Sequence, residues 1–170
     1  MRKAVPLCVV IFALLTCGAG ASAQRRRATP RLAAICGDPT VRCQTSVEFQ
    51  PYQLPFRIPL KAVIWETEKF YAVILKSVRD ESKGSDCNVF IPEAERETAQ
   101  PLFPRNKVFA SRCYEPEELY YEGIDPEVMF MAVYAGRTRA EANAMLAKVK
   151  AVGKFPGAYL RRTSTGFNGT

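Results

Sequence analysis

Between residues 70 and 162 the chain alternates strand, helix, strand, strand, helix, strand, which predicts an α+β domain built on an antiparallel sheet. Three observations lead there. Val128–Ala135 is an unbroken apolar run with β-branched and aromatic members, too short for a helix of its own and closed by Gly136. Thr138 stands three residues before Glu141, the capping-box spacing that starts a helix, and Ala142, Leu146 and Val149 then fall on one face with Met145 and Val152 beside them. Phe70–Leu75 is a second apolar run, in which Tyr71, Val73 and Leu75 point one way and Phe70, Ala72 and Ile74 the other.

The remaining elements follow from local chemistry. Pro92 suits the first turn of a helix whose positive end favours Glu93 and Glu95, and Pro101 ends it; Ile91, Ala94, Thr98 and Leu102 give it an approximate inner face. Lys107–Ser111, flanked by Pro104 and Cys113, reads as a short strand. Gly153 caps the second helix and Pro156 prevents its resumption, so Ala158–Arg162 returns as the last strand. Glu115–Glu127 is acidic and holds Tyr120 and Tyr121; it is expected to be a surface connector between the halves. The resulting order, βαββαβ, is ferredoxin-like: a four-stranded antiparallel sheet with both helices on one face and the first and third strands central. Those two strands are the ones apolar on both sides, as a central position requires.

Before this domain, placed at residues 69–165, come three further regions. Residues 1–23 have the parts of a bacterial export signal: Arg2 and Lys3, an apolar core from Ala4 to Thr16, and Ala21-Ser22-Ala23 as a cleavage site. Lipidation at Cys17 is the alternative processing. Cleavage leaves no membrane span and implies a periplasmic or secreted protein. Residues 24–45 form a basic arm; removal of the signal takes away Arg2 and Lys3 and no acid, so the formal charge falls from +7 to +5, and Arg25, Arg26, Arg27 and Arg31 carry most of it. Export makes nucleic acid the weakest of the polyanions such an arm meets, and none is expected as partner. Residues 46–68 carry Phe49, Tyr52, Leu54 and Phe56 between Pro51, Pro55 and Pro59, which exclude a central strand and predict an extended segment packed over the core. Ala62–Trp65 within it reads as a short strand or a packed turn.

Four cysteines outlast the signal: Cys36, Cys43, Cys87 and Cys113. An even count in an exported chain reads as two disulfides, of three possible pairings; Cys36–Cys43 with Cys87–Cys113 closes each loop within one region. The chain has no histidine, which removes Ser-His-Asp and Cys-His catalysis and the commonest zinc ligand. No C-x-x-C pair exists for a four-Cys zinc site. No catalytic residues, metal or cofactor are expected. Glu66, Glu68 and the acids of Glu115–Glu127 offer carboxylates, but no spacing sets a pair apart for acid–base work.

The segment Phe130–Tyr159, an apolar strand ending in Gly136, a Thr-Arg-Ala-Glu-Ala helix start, Leu and Lys along the helix, Gly153 past it and a returning strand, resembles a SPOR (sporulation-related repeat) domain, and Phe70–Arg112 resembles its first half. The resemblance implies the same βαββαβ fold and non-catalytic binding of peptidoglycan glycan strands stripped of peptide, through the sheet face opposite the helices. Where family members place Gln and then Gly-Ser in the first central strand, this chain has Ile74, Lys76 and Ser77, so only Ser77 carries over by position. Tyr134, Arg137 and Tyr159 join it as expected ligand contacts, because they lie at the ends or edges of the third and last strands, where rings can stack on sugars and polar groups can bind hydroxyls. In the third strand Met129, Met131 and Val133 form one set and Phe130, Ala132 and Tyr134 the other, both apolar, and the set away from the helices has to meet a ligand, a partner or the Phe49–Phe56 segment. The competing expectation is an envelope protein as partner, engaged by a protein–protein interaction module that pairs another chain along an edge strand.

Overall fold

The computed structural model describes residues 34–41, 54, 64–79, 89–111 and 119–168. The export signal with Cys17, most of the basic arm, and Cys43, Cys87 and Cys113 lie outside these residues. Cys36 is disulfide-bonded, and its partner also lies outside them.

The chain order is β1 (Ile64–Glu66), β2 (Phe70–Arg79), α1 (Glu93–Ala99), β3 (Val108–Ala110), β4 (Leu119–Tyr121), β5 (Val128–Tyr134), α2 (Arg139–Val152), β6 (Tyr159–Thr163) and β7 (Thr165–Asn168). Four strands form an antiparallel sheet in the order β3-β5-β2-β6, which puts the two runs apolar on both sides in the middle. The fold is α+β, and the order is compatible with a ferredoxin-like arrangement. One sheet face, Val73, Leu75, Val108, Met131 and Val133, packs under Ile91 and Ala99 at α1 and Ala142, Met145 and Val149 of α2.

Local chemistry sets both helices. Pro101 turns the end of α1 into a single 3₁₀ turn, Gln100–Leu102. Of the face expected for α1, Ile91 is buried, but Ala94 and Thr98 are exposed and Arg96 and Ala99 are buried instead. Arg96 can occupy the inner side because Glu93 pairs with its guanidinium at 2.6 Å and the Val108 carbonyl accepts from it at 3.3 Å. In α2, Met145 takes the buried place and Leu146 only half-buries at the margin. The Thr138–Glu141 capping box forms, and Gly153 ends the helix at φ 71°, a left-handed conformation that glycine adopts without strain.

Glu141 holds its cap by charge. The Thr138 backbone N–H donates to Glu141 Oε2 at 2.8 Å, and the Thr138 hydroxyl and Arg137 N–H lie within 2.9 Å of it; these contacts, the Thr138 amide first, draw the carboxyl below its ordinary range. A lowered folded-state value stabilises the fold above the unfolded value and is lost as pH falls through the folded one. Glu141→Gln is therefore expected to lower the thermal midpoint at pH 7, and the gap from wild type should close as pH drops below about 4. A gap that persists at pH 3 would mean that the charge contributes nothing.

A second sheet lies beyond the sequence expectation: three antiparallel strands in the order β1-β7-β4. β6 runs on into β7, so the sheet joins residues from either side of the 69–165 region. The expected surface connector is corrected here, because Glu115–Glu127 contains β4, and Tyr121 from it stacks on Phe109 and meets Phe130 edge-on. The junction Thr163–Thr165 is polar yet buried; partners satisfy its Thr163 and Ser164 hydroxyls and the Thr165 amide, while the Thr165 hydroxyl has none among the described residues. Ser164 Oγ lies 2.6 Å from Glu66 Oε1 and 2.7 Å from Glu122 Oε2, and the Thr165 N–H donates to Thr67 Oγ1 at 3.0 Å.

The sheet face away from the helices is filled by the chain itself. Phe70, Ala72, Ile74, Phe109, Phe130 and Ala132 form a second core with Ile35 and Leu54, and Tyr121, Ile124 and Tyr134 pack at its margin. Leu54 is fully buried there, the one described residue of the Phe49–Phe56 stretch. Phe49, Tyr52 and Phe56 lie outside the described residues. Among those residues no helix is long and apolar enough to cross a membrane.

Candidate functional site

Strict alternation would turn Ser77 toward the helices with Tyr71, Val73 and Leu75. A bulge in β2 prevents this: Ile74 faces Ala132, the register then shifts, and Lys76 faces Met131 while Ser77 faces Phe130. Lys76 therefore reaches α1, where its Nζ pairs with Glu95 at 2.7 Å, and Ser77 shares the opposite face with Ile74 and Phe130.

On the neighbouring strand β6, Tyr159 stands opposite Ile74 and Arg161 opposite Ala72, so both side chains belong to that same face. The turn after β4, which Gly123 makes at φ 74°, brings Ile124 and Asp125 over the end of the sheet. Together these elements enclose a cleft of about 550 Å³. Ile74 and Phe130, both buried, line its apolar part; Ser77, Arg79, Asp125, Tyr159 and Arg161 supply its polar groups.

The charges in the cleft are of two kinds. Arg79 donates to Asp125 Oδ2 and to Glu127 Oε2, each at 2.8 Å, and the Asp125 bond above all secures its proton. Asp125 is held below the usual carboxylate range, first by the Glu127 backbone N–H at 3.0 Å and then by Arg79. Arg161 has no carboxylate partner among the described residues; its guanidinium lies 5.9 Å from the centroid of the Tyr159 ring. Tyr159 is 41% exposed, so one aromatic surface remains open to the cleft.

The four contacts expected from the sequence thus separate into two pairs. Ser77 and Tyr159 meet in the cleft. Tyr134 faces Ala72, roughly 16 Å along β2 from Ser77. Its ring lies 5.8 Å from that of Phe70 and against the backbone of Gly37, where a Cβ would fall inside the ring. Burial pushes the Tyr134 phenol up. Arg137 is exposed and pairs with Glu68 at 2.6 Å. Neither lines the cleft.

Arg79, Asp125 and Arg161 are the polar cleft residues that sequence reasoning passed over. Arg161 was accessible to it, being two residues beyond Tyr159 on the same strand face; Asp125 was not, because only the second sheet carries it there. Of the carboxylates offered by the sequence, those among the described residues are engaged structurally: Glu66 and Glu122 on Ser164, Glu68 on Arg137, and Asp125 and Glu127 on Arg79. Among the described residues no group of three His, Cys, Asp or Glu side chains is placed to hold a metal. The cleft can stack an aromatic ring on an apolar ligand face and pair hydroxyl, carboxylate and guanidinium groups with the ligand's polar edges. No family model, no curated protein and no solved structure matches this chain.

Proposed function

We propose that the chain is an exported, non-enzymatic cell-envelope protein carrying a SPOR-like domain of ferredoxin-like fold, and that it binds peptidoglycan glycan strands in the cleft between Ser77, Asp125 and Tyr159. The observation that carries this reading is the half-exposed Tyr159 ring beside a serine hydroxyl, a carboxylate and the Arg161 guanidinium, over an apolar lining. Sugars present apolar ring faces bordered by hydroxyls, and such a surface complements both. The disulfide at Cys36 agrees with an oxidising compartment. Since Ile35, Leu54, Tyr121 and Ile124 pack on the sheet face opposite the helices, the ligand is assigned to the cleft at its margin and not to the whole face.

A protein–protein interaction module is the second reading, favoured by a different feature. On the helix side a mostly apolar groove of about 350 Å³ is lined by Ala94, Thr98, Leu102, Met131 and Phe155. One experiment separates the two. Purified, peptide-free sacculi should retain the wild-type protein on sedimentation, and Ser77→Ala with Tyr159→Ala should release it while circular dichroism stays native. Retention of that folded double variant would move the site elsewhere, and no retention of wild type would sink the glycan reading in favour of the protein partner.

A further inference from the structure

The structure assigns the cleft an acidic saccharide, with Arg161 as the group that takes the ligand's carboxylate. This rests on the glycan reading and specifies which sugar it recognises. The cleft holds two arginines in opposite circumstances. The guanidinium of Arg79 is occupied by Asp125 and Glu127, each at 2.8 Å. Arg161 is exposed, and its contact is with the Tyr159 ring at 5.9 Å, with no carboxylate on its N–H fork among the described residues. A guanidinium fork matches a carboxylate with two parallel hydrogen bonds, and a charge-assisted pair is about twice as strong as a neutral one.

Position gives the ligand a direction. Arg161 faces Ala72, whereas Arg79 lies at the far end of the same strand, roughly 20 Å away along β2. Asp125 and Glu127 are both paired with Arg79, and that pairing offsets their repulsion of an anion at Arg161. A glycan lying along β2 would stack one ring on Tyr159, place the carboxylate of that sugar on Arg161, and direct hydroxyls toward Ser77 and Asp125. A strand stripped of peptide offers this carboxylate on its lactyl ether substituents. A neutral sugar would occupy the same ring position and leave Arg161 with water.

Binding of soluble peptide-free glycan oligomers, of the same oligomers with their carboxylates converted to methyl esters, and of neutral chitin oligomers tests the assignment by calorimetric titration. Wild type is expected to bind the free acid on the order of tenfold more tightly than the ester, a preference that weakens as salt is raised. Arg161→Gln should lose that preference and bind the ester as wild type does, while Arg137→Gln, outside the cleft, should keep it. Equal affinity of wild type for acid and ester, or a preference that survives Arg161→Gln, would overturn the assignment and leave glycan binding standing. Binding of none of the three ligands by wild type would remove both.

Discussion

Phe109→Ala is expected to cost about 3–5 kcal/mol, because it removes the side chain on which the second core is centred. β3 is short and at the end of the sheet order, yet Val108 and Ala110 face the helices and Phe109 the opposite layer, so the strand is buried on both sides. The Phe109 ring lies 6.2 Å from Phe70 and 6.0 Å from Phe130, edge-on to both, and stacks on Tyr121 at 6.0 Å. Such ring pairs add to the area they bury, and truncation leaves a cavity that three aromatic neighbours cannot close without leaving their rotamers. Urea melts should show a lower midpoint with the slope unchanged. Phe90→Ala is the control: Phe90 is 47% exposed, and its loss should stay within about 0.5 kcal/mol. Similar small effects from both would mean that the two layers are not packed through Phe109.

Cys36→Ser should cost about 2–4 kcal/mol, the range for a native disulfide in a small domain. The bond sits where the N-terminal arm meets the sheet. Ile35 beside it enters the second core, and the Gly37 carbonyl accepts from the Lys107 N–H at 2.7 Å while its α-carbon rests against the Tyr134 ring. A side chain at residue 37 would displace that ring, so glycine is needed there for close approach. Freed from its covalent tie, the arm loses this seat more easily, and the Lys107 amide should exchange faster with deuterium in the variant. Non-reducing peptide mapping names the partner and tests Cys36–Cys43 and Cys87–Cys113 together. Unchanged melting and unchanged exchange at Lys107 would show that the bond does not secure the arm.

Several elements were legible in the residues themselves because their cause is local. The capping box needs only Thr138 and Glu141 at the right spacing, and it forms. The inner strands needed only apolarity on both faces, and β2 and β5 take the middle of the sheet. Where two neighbouring positions compete for one buried place, spacing decides less. Met145 and Leu146 are such a pair on α2, where Met145 is buried and Leu146 lies at the margin of the core. In α1 the inner face turned because Glu93 neutralises Arg96, a partnership whose third member, the Val108 carbonyl, is on another strand.

The helices, the two inner strands and their return strand follow from local pattern, since periodicity, caps and prolines act within a few residues of one another. The sequence also determined the chemical limits of function: without histidine, two families of catalytic triad are excluded whatever the fold. Only the tertiary structure decided what meets the sheet face opposite the helices. β4 and β7 are short, and the Thr163–Thr165 stretch that leads into β7 is polar; it becomes interior as Glu66, Thr67 and Glu122 arrive from distant parts of the chain to satisfy the Ser164 hydroxyl and the Thr165 amide. The side on which Ser77 stands was equally beyond the pattern, for one bulge at Leu75 reverses every side chain after it. The cleft that joins Ser77 to Tyr159 follows from that reversal and from the turn that carries Asp125, because long-range pairing selects which of several locally acceptable registers is kept.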